Sequence, residues 1–203
     1  MGFPTVVEVT VVVVEVAAIF VAATHMIAPD HWLPLSAAST RQKFSSRRTL
    51  SIAAALGVTH SATSTAVAML ILIVGETIAG LVHYLDTAGF ILLLAVAAYF
   101  AITGFLEREN EAQASAALAS AVAVSVFPDF ALVPLVLLAA PHGVVYLVQL
   151  LILFAAASAA SLTAVTATAR MGMIESIRKM PPRYSDYAVA TVLVVTALAL
   201  LFT

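Results

Sequence analysis

Six predominantly apolar stretches follow one another along this chain of 203 residues. A helix needs about 20 apolar residues to cross the hydrocarbon core of a bilayer. Hydrophobic residues make up 63% of the chain and charged residues only 10%, whereas a soluble domain carries about 25% charged residues. We therefore predict an all-α, polytopic membrane bundle that forms a single domain over residues 1–203. The expected transmembrane helices are about 5–28, 49–75, 87–106, 112–139, 143–168 and 185–203.

The basic residues are distributed unevenly among the connections between these stretches. All nine fall in the first, third and fifth connections, which share one side of the membrane. The positive-inside rule assigns that side to the cytoplasm. We therefore expect an integral protein of the plasma membrane with both termini outside. The nine residues are Arg41, Lys43, Arg47, Arg48, Arg108, Arg170, Arg178, Lys179 and Arg183.

Composition also excludes several classes of function. The chain has no cysteine, so disulfides, thiolate metal sites and iron–sulfur clusters are ruled out. The net charge of −2 and the few basic residues argue against nucleic acid as a partner. The connections are too short for an extramembrane domain, and no glycine-rich phosphate loop or nucleophile elbow is present. We expect a protein that is not an enzyme and whose environment is the lipid bilayer.

The densest group of polar residues lies at the end of the first expected span, where His25, Asp30 and His31 are found. Ionisable residues within a span cost several kcal/mol and by default indicate function. In an unbroken helix these three side chains would point in different directions. Pro29 removes a backbone hydrogen bond and disfavours helix at the residue before it. We predict that the helix unwinds here, so that the three side chains converge with His60 from the second span.

A pocket of imidazoles with a carboxylate suits nickel, cobalt, copper or zinc. A simpler interpretation is an interfacial helix end, with Asp30 as a cap and the histidines reaching toward lipid headgroups. Three further residues are accessory candidates. Ser61 follows His60, and Asp129 follows the proline that interrupts the fourth span. Glu15 lies deep in the first span. The sequence leaves two roles open for it, as a proton carrier or as a hydrogen-bond partner of a Ser or Thr hydroxyl.

The dipeptide Pro-Asp occurs twice, at corresponding places in the two halves of the chain. Pro29-Asp30 ends the first expected span, and Pro128-Asp129 interrupts the fourth. Transporters are often built from two halves related by inversion, with interrupted helices at the substrate site. The repetition indicates a 3+3 inverted repeat.

These residues resemble the motifs of a known family. The run His25-Met-Ile-Ala-Pro-Asp30-His31 fits the H-x-x-x-x-D-H signature of the nickel/cobalt transporter superfamily. Gly57-Val-Thr-His60-Ser61 resembles the second motif of that family. Phe127-Pro128-Asp129-Phe-Ala131 resembles the proline-broken helix of the six-helix nickel/cobalt efflux proteins and the urease-accessory-like permeases. The resemblance implies a divalent-metal permease in which His25, Asp30, His31 and His60 form the metal pathway. The chain departs from the family because it has no His-rich loop and no cysteine in the third motif.

We therefore predict a secondary transporter of a transition-metal dication, with nickel or cobalt as the first expectation and zinc as an alternative cargo. No tightly bound cofactor is expected. Imidazole must lose its proton to bind metal, so transport is expected to be proton-coupled. One alternative is a b-type haem protein with axial ligands such as His60 and His142. Others are a non-transporting subunit of a larger membrane complex and a transporter of different cargo. The sequence leaves open the direction of transport, import or export. It also leaves open whether the protein works as a monomer, a homodimer or part of a larger complex.

Overall fold

The computed structural model describes residues 6–74 and 111–179, together with isolated residues between 91 and 105 and between 184 and 198. Every regular element in these described ranges is helical, which confirms the all-α prediction for that part of the chain. The helices are α1 (Val6–Ile27), α2 (Pro29–Arg41), α3 (Ser46–Val74), α4 (Glu111–Val126), α5 (Leu132–Ala139) and α6 (Val144–Lys179), and a 3-10 turn (Ala140–His142) joins α5 to α6.

Two of the described helices are long and apolar enough to cross a membrane alone. They are α3 and the Val144–Gly172 part of α6, each with 29 residues, or about 43 Å of helix. A third span results if α1 and α2, which are bent by 47° relative to each other, cross together. These helices are compatible with a membrane protein. The expected spans 87–106 and 185–203 lie mostly outside the described residues.

The segment after the first expected span is a buried helix and not a loop. α1 ends at Ile27, and α2 begins at Pro29, where a proline costs no helical hydrogen bond. Ala28 between them has φ −57° and ψ 133°, so the predicted break is confirmed. The sequence predicted a connection over residues 29–41, and the structure has the helix α2 there instead. Nine of the thirteen residues of α2 are buried, and hydropathy does not reveal this helix because several of them are polar or small.

The expected span 112–139 consists of two helices, α4 and α5, with residues 127–131 between them. Pro128 lies in this break, as the sequence predicts. Pro134 does not interrupt the chain a second time. It lies in the first turn of α5, where a helix does not need the backbone N–H that proline lacks.

The last described helix extends beyond the expected end of the fifth span, because α6 continues to Lys179. Arg170 is therefore helical and not part of a loop. Its guanidinium group donates hydrogen bonds to the hydroxyls of Ser39 (2.7 Å) and Thr49 (2.6 Å) and to the backbone carbonyl of Phe44 (2.8 Å). Arg170 thus attaches the turn between α2 and α3 to α6.

Apolar side chains cover much of the described surface, and several polar side chains are buried inside it. Large apolar residues on α1, α3 and α6 face outward, including Phe20 at 67% exposure and Ile73 at 75%. Polar residues such as Ser64, Ser125 and Ser158 are almost fully buried. An exposed apolar surface of this kind is compatible with a membrane protein, in which lipid covers it.

The backbones of helices α3 and α6 are in close contact at Gly57. A Cβ atom added to Gly57 would lie 2.6 Å from the Cα of Ala159 and 2.9 Å from its backbone nitrogen. Small residues allow such backbone contact between helices in a membrane, where packing replaces the hydrophobic effect. Gly57 is one turn before His60, so this contact determines where α3 holds that imidazole.

Candidate metal centre

Three imidazole rings from three helices meet beside the break between α1 and α2. His25 lies in the last turn of α1, His31 in the first turn of α2 and His60 in α3. The ring centroids are 4.8 Å apart for His25 and His31, 5.0 Å for His25 and His60, and 5.1 Å for His31 and His60. Each ring offers one nitrogen, and these nitrogens all lie within 4.8 Å of one another. We call this cluster the imidazole trio.

The break in the first helix is what brings His25 and His31 to the same place. Six residues separate them, and six residues of continuous helix would leave the side chains on different faces. The extended backbone at Ala28 and the bend of 47° remove that constraint. Trp32 stabilises the break because its indole N–H donates to the carbonyl of Ile27 at 3.0 Å. That carbonyl belongs to the end of α1, where helical partners are missing.

Asp30 orients the ring of His31. The Nδ1 atom of His31 donates to Oδ1 of Asp30 at 2.9 Å. An ionised carboxylate only accepts hydrogen bonds, so the proton of the neutral ring is on Nδ1 and the lone pair is on Nε2. The Nε2 atom is buried and has no hydrogen-bond partner in the described ranges. Asp30 therefore leaves His31 with an unused nitrogen, in the form that binds a metal.

His60 adds two more unpartnered nitrogens to the cluster. Its side chain is buried, and neither Nδ1 nor Nε2 makes a hydrogen bond of good geometry with the residues that the structure describes, although backbone groups of Ser125 and Phe127 lie near the ring. A buried polar atom left without a partner costs about 1–3 kcal/mol. Such atoms are unusual in folded proteins and call for an explanation, which can be an ion. Three of them, counting Nε2 of His31, belong to the trio.

The trio lies level with the middle of a membrane-length helix. His60 is fourteen residues from each end of α3. The sequence predicted that the cluster lies at the end of the first span, followed by a connection. The chain does not leave the protein after His31, because α2 continues as a buried helix. Ala97 and Ala190, from the partly described segments, pack in the same apolar cluster as Leu33 of α2.

Asp129 lies beside the trio, in the break between α4 and α5. Its side chain is 7% exposed, and its Oδ2 atom is 3.8 Å from Nδ1 of His25. The backbone N–H of Asp129 donates to Oγ of Ser64 at 2.8 Å, and the Ser64 hydroxyl donates to the carbonyl of His60 at 2.7 Å. The second break is thus attached to the same turn of α3 that carries His60. Ser64 is not among the predicted site residues, although its spacing of four residues from His60 puts both on one face of α3.

The other accessory candidates lie elsewhere. The hydroxyl of Ser61 donates to the carbonyl of Gly57 within α3. Glu15 is ten residues before His25, or about 15 Å along α1, and lines a separate small cavity with His142 and Tyr146. Its Oε1 atom is buried and has no hydrogen-bond partner within the described ranges.

The two histidines of the haem alternative are also in different groups. His60 belongs to the trio, whereas His142 lines the cavity with Glu15. The haem alternative requires that these two rings face each other as axial ligands. No described contact joins these two rings.

The candidate centre consists of three imidazoles and two carboxylates. One carboxylate, Asp30, orients His31, and the other, Asp129, lies beside His25. Comparisons of the chain with protein-family models, with curated proteins and with solved structures find no match.

Proposed function

We propose that the protein is a membrane permease for a transition-metal dication, with Ni²⁺ or Co²⁺ as the expected cargo and Zn²⁺ as the alternative. One observation carries the proposal: His25, His31 and His60 offer nitrogens within 4.8 Å of one another. Three buried ring nitrogens of His31 and His60 make no hydrogen bond of good geometry in the described ranges. A metal binds imidazole nitrogen at about 2.0–2.1 Å. Small rotations of the rings would bring the three nitrogens onto one ion.

The donor atoms favour this class of cargo. Neutral imidazole suits nickel, cobalt, copper and zinc, whereas magnesium, calcium and manganese prefer sites made only of oxygen. Asp30 acts through His31, because a carboxylate bound to the second ring nitrogen fixes the tautomer and raises the basicity of the ligand. His25 is 35% exposed and is the open side of the trio, from which an ion would arrive or leave.

The position of the trio supports transport rather than storage of the metal. Secondary transporters hold their substrate near the bilayer midplane, where interrupted helices supply the ligands. Here two helix breaks and the middle of α3 meet at one point. In the proposed mechanism the ion is exposed alternately to each side, and the protons that compete for the imidazoles couple transport to pH. The basic connections lie in the cytoplasm, and the membrane is the plasma membrane.

The test begins with metal binding by the purified protein. The wild type is expected to bind about one Ni²⁺ or Co²⁺ per chain. The double variant His25→Ala/His31→Ala is expected to bind at least about 100-fold more weakly, because two of the three imidazoles are gone. The control is His142→Ala, which removes an imidazole outside the trio and leaves binding unchanged. Binding by the double variant at the wild-type level would refute the proposal.

The second part of the test measures transport. Proteoliposomes that contain only this chain are expected to move the bound metal across the membrane, and the double variant is expected to move none. Metal binding without any flux would instead favour a non-transporting subunit of a larger complex. A purified protein with the strong blue-edge absorption band of haem would replace the proposal with the haem alternative.

A further inference from the structure

We propose that Asp129 is the fourth ligand of the cargo ion, so that three imidazole nitrogens and one carboxylate oxygen hold it. This inference rests on the proposed function and adds a residue from the second half of the chain to the site. The sequence resemblance implies ligands only from the first three described helices, α1, α2 and α3. Asp129 comes from the break between α4 and α5, and its Oδ2 atom lies 3.8 Å from Nδ1 of His25.

The two carboxylate oxygens of Asp129 have different surroundings. Oδ1 accepts a hydrogen bond from the backbone N–H of Ala131 at 2.9 Å, which closes the turn that leads into α5. Oδ2 is buried and has no hydrogen-bond partner within the described ranges. Its near neighbour is Nδ1 of His25 at 3.8 Å, which is too long for a hydrogen bond. One oxygen thus maintains the local structure, and the other is available to an ion.

Asp30 cannot have the same role. Its Oδ1 atom is bound to Nδ1 of His31, and the unpartnered nitrogen of that ring is Nε2. An ion on Nε2 would therefore be separated from Asp30 by the imidazole ring. Asp129 differs from Asp30 because its Oδ2 atom, 3.8 Å from Nδ1 of His25, makes no hydrogen bond to that ring or to any other described group. The two aspartates therefore have different roles: Asp30 orients a ligand, and Asp129 is a ligand.

A carboxylate ligand narrows the class of cargo. Three neutral imidazoles and one carboxylate carry a single negative charge, which suits a dication of intermediate softness that accepts four nitrogen and oxygen ligands. A soft monovalent ion such as Cu⁺ prefers thiolates and thioethers, and the chain has no cysteine. We therefore expect Co²⁺, Ni²⁺ and Zn²⁺ to bind, and Cu⁺ and Ag⁺ to compete poorly.

The first test removes the negative charge of residue 129 and keeps the hydrogen bond that closes the turn into α5. In Asp129→Asn the amide oxygen still accepts from the backbone N–H of Ala131, while the anionic oxygen becomes an NH₂ group that cannot bind a metal. We expect Co²⁺ affinity to fall roughly 100-fold and the visible bands of tetrahedral Co²⁺ to change. The matched control is Ser120→Ala, another buried position in this part of the chain, whose hydroxyl only donates to the carbonyl of Ala117. Its affinity and spectrum are expected to stay as in the wild type.

The second test gives a positive signal. Because the natural chain has no cysteine, the variant Asp129→Cys carries one thiol, at the position in question. If residue 129 touches the ion, Co²⁺ loading produces a thiolate-to-cobalt charge-transfer band in the near ultraviolet. A Ser120→Cys variant is the control and gives no such band. A folded Asp129→Cys protein that binds Co²⁺ without the band would refute the inference.

The outcomes separate this inference from the proposed function. If the wild type binds Co²⁺ and Asp129→Asn binds it with the same affinity and spectrum, Asp129 is not a ligand and the permease proposal stands. Weaker binding with an unchanged spectrum also refutes ligation, because Asp129 would then only position His25. If the wild type binds no metal, both proposals are wrong.

Discussion

The two helix breaks contain the same dipeptide but are built differently. Between α1 and α2 a single residue, Ala28, leaves the helical conformation, and Pro29-Asp30 already belongs to the next helix. Between α4 and α5 five residues are non-helical, and Pro128-Asp129 lies within them. In the first break the carboxylate is bound to a neighbouring imidazole. In the second, one carboxylate oxygen accepts from a backbone N–H, and the other lies near His25 with no hydrogen-bond partner among the described residues.

This difference shows that a dipeptide determines where a helix is interrupted but not what its carboxylate does. In both places the proline prevents a continuous helix. The narrow break keeps Asp30 in the first turn of α2, next to the ring of His31. The wide break needs more support, which it obtains from the side chain of Asp129 and from Ser64 of α3. Both breaks lie against α3. The ring of His60 is beside His25 and His31 at the first break, and Ser64 accepts a hydrogen bond from Asp129 at the second.

The largest expected effect concerns the packing of α3, the helix that lies against both breaks. Gly57→Ala would put a methyl group 2.6 Å from the Cα of Ala159, so α3 and α6 would have to separate. We expect a loss of about 2–3 kcal/mol in the free energy of unfolding, and weaker metal binding because His60 moves. Thermal unfolding in detergent measures the first effect. The control is Gly172→Ala, where a Cβ meets nothing within 4 Å. Equal stability of the two variants would contradict the close contact of α3 and α6.

A smaller effect sharpens the contrast between the two carboxylates. Asp30→Ala removes the acceptor for Nδ1 of His31, so that the ring loses its orientation. The expected result is a 10–100-fold loss of metal affinity, typical of residues that hold a ligand, with the Co²⁺ spectrum of the remaining bound ion preserved. Equilibrium metal competition and visible absorption measure both quantities. A change in the type of spectrum would mean that Asp30 binds the ion directly and that the assigned roles are wrong.

The smallest expected effect is a difference between the two breaks in how readily their backbone hydrogen bonds open. Ser64→Ala removes the acceptor for the N–H of Asp129 and leaves that group unpaired, at a cost of about 1 kcal/mol. We expect faster hydrogen exchange in residues 127–133 and no change in residues 28–31, measured by mass spectrometry. Thr59→Ala is the control, because that exposed hydroxyl only donates to the carbonyl of Ala55. Equal acceleration at both breaks would show that they open together.

The sequence predicted the break in the first helix and the histidines that meet there, for reasons that are local. Pro29 cannot continue a helix, and ionisable residues in an apolar chain have few tolerable places. It did not predict that residues 29–41 form a buried helix. Hydropathy identifies segments that face lipid, whereas α2 buries polar and small residues such as Ser36 and Ala38 against other helices. It also treated Arg170 as a topology signal and missed its bonds to Ser39 and Thr49.

The amino-acid sequence by itself determined that this chain is helical, that it suits a membrane and that its first and fourth apolar stretches are interrupted. These properties follow from composition and from proline, which act within a few residues. Only the tertiary structure decided that His60 joins His25 and His31, that Asp30 faces a ring and that one oxygen of Asp129 stays free. Those relations depend on how α3 packs against α6 and against both breaks, and contacts between residues far apart in the chain leave no local pattern.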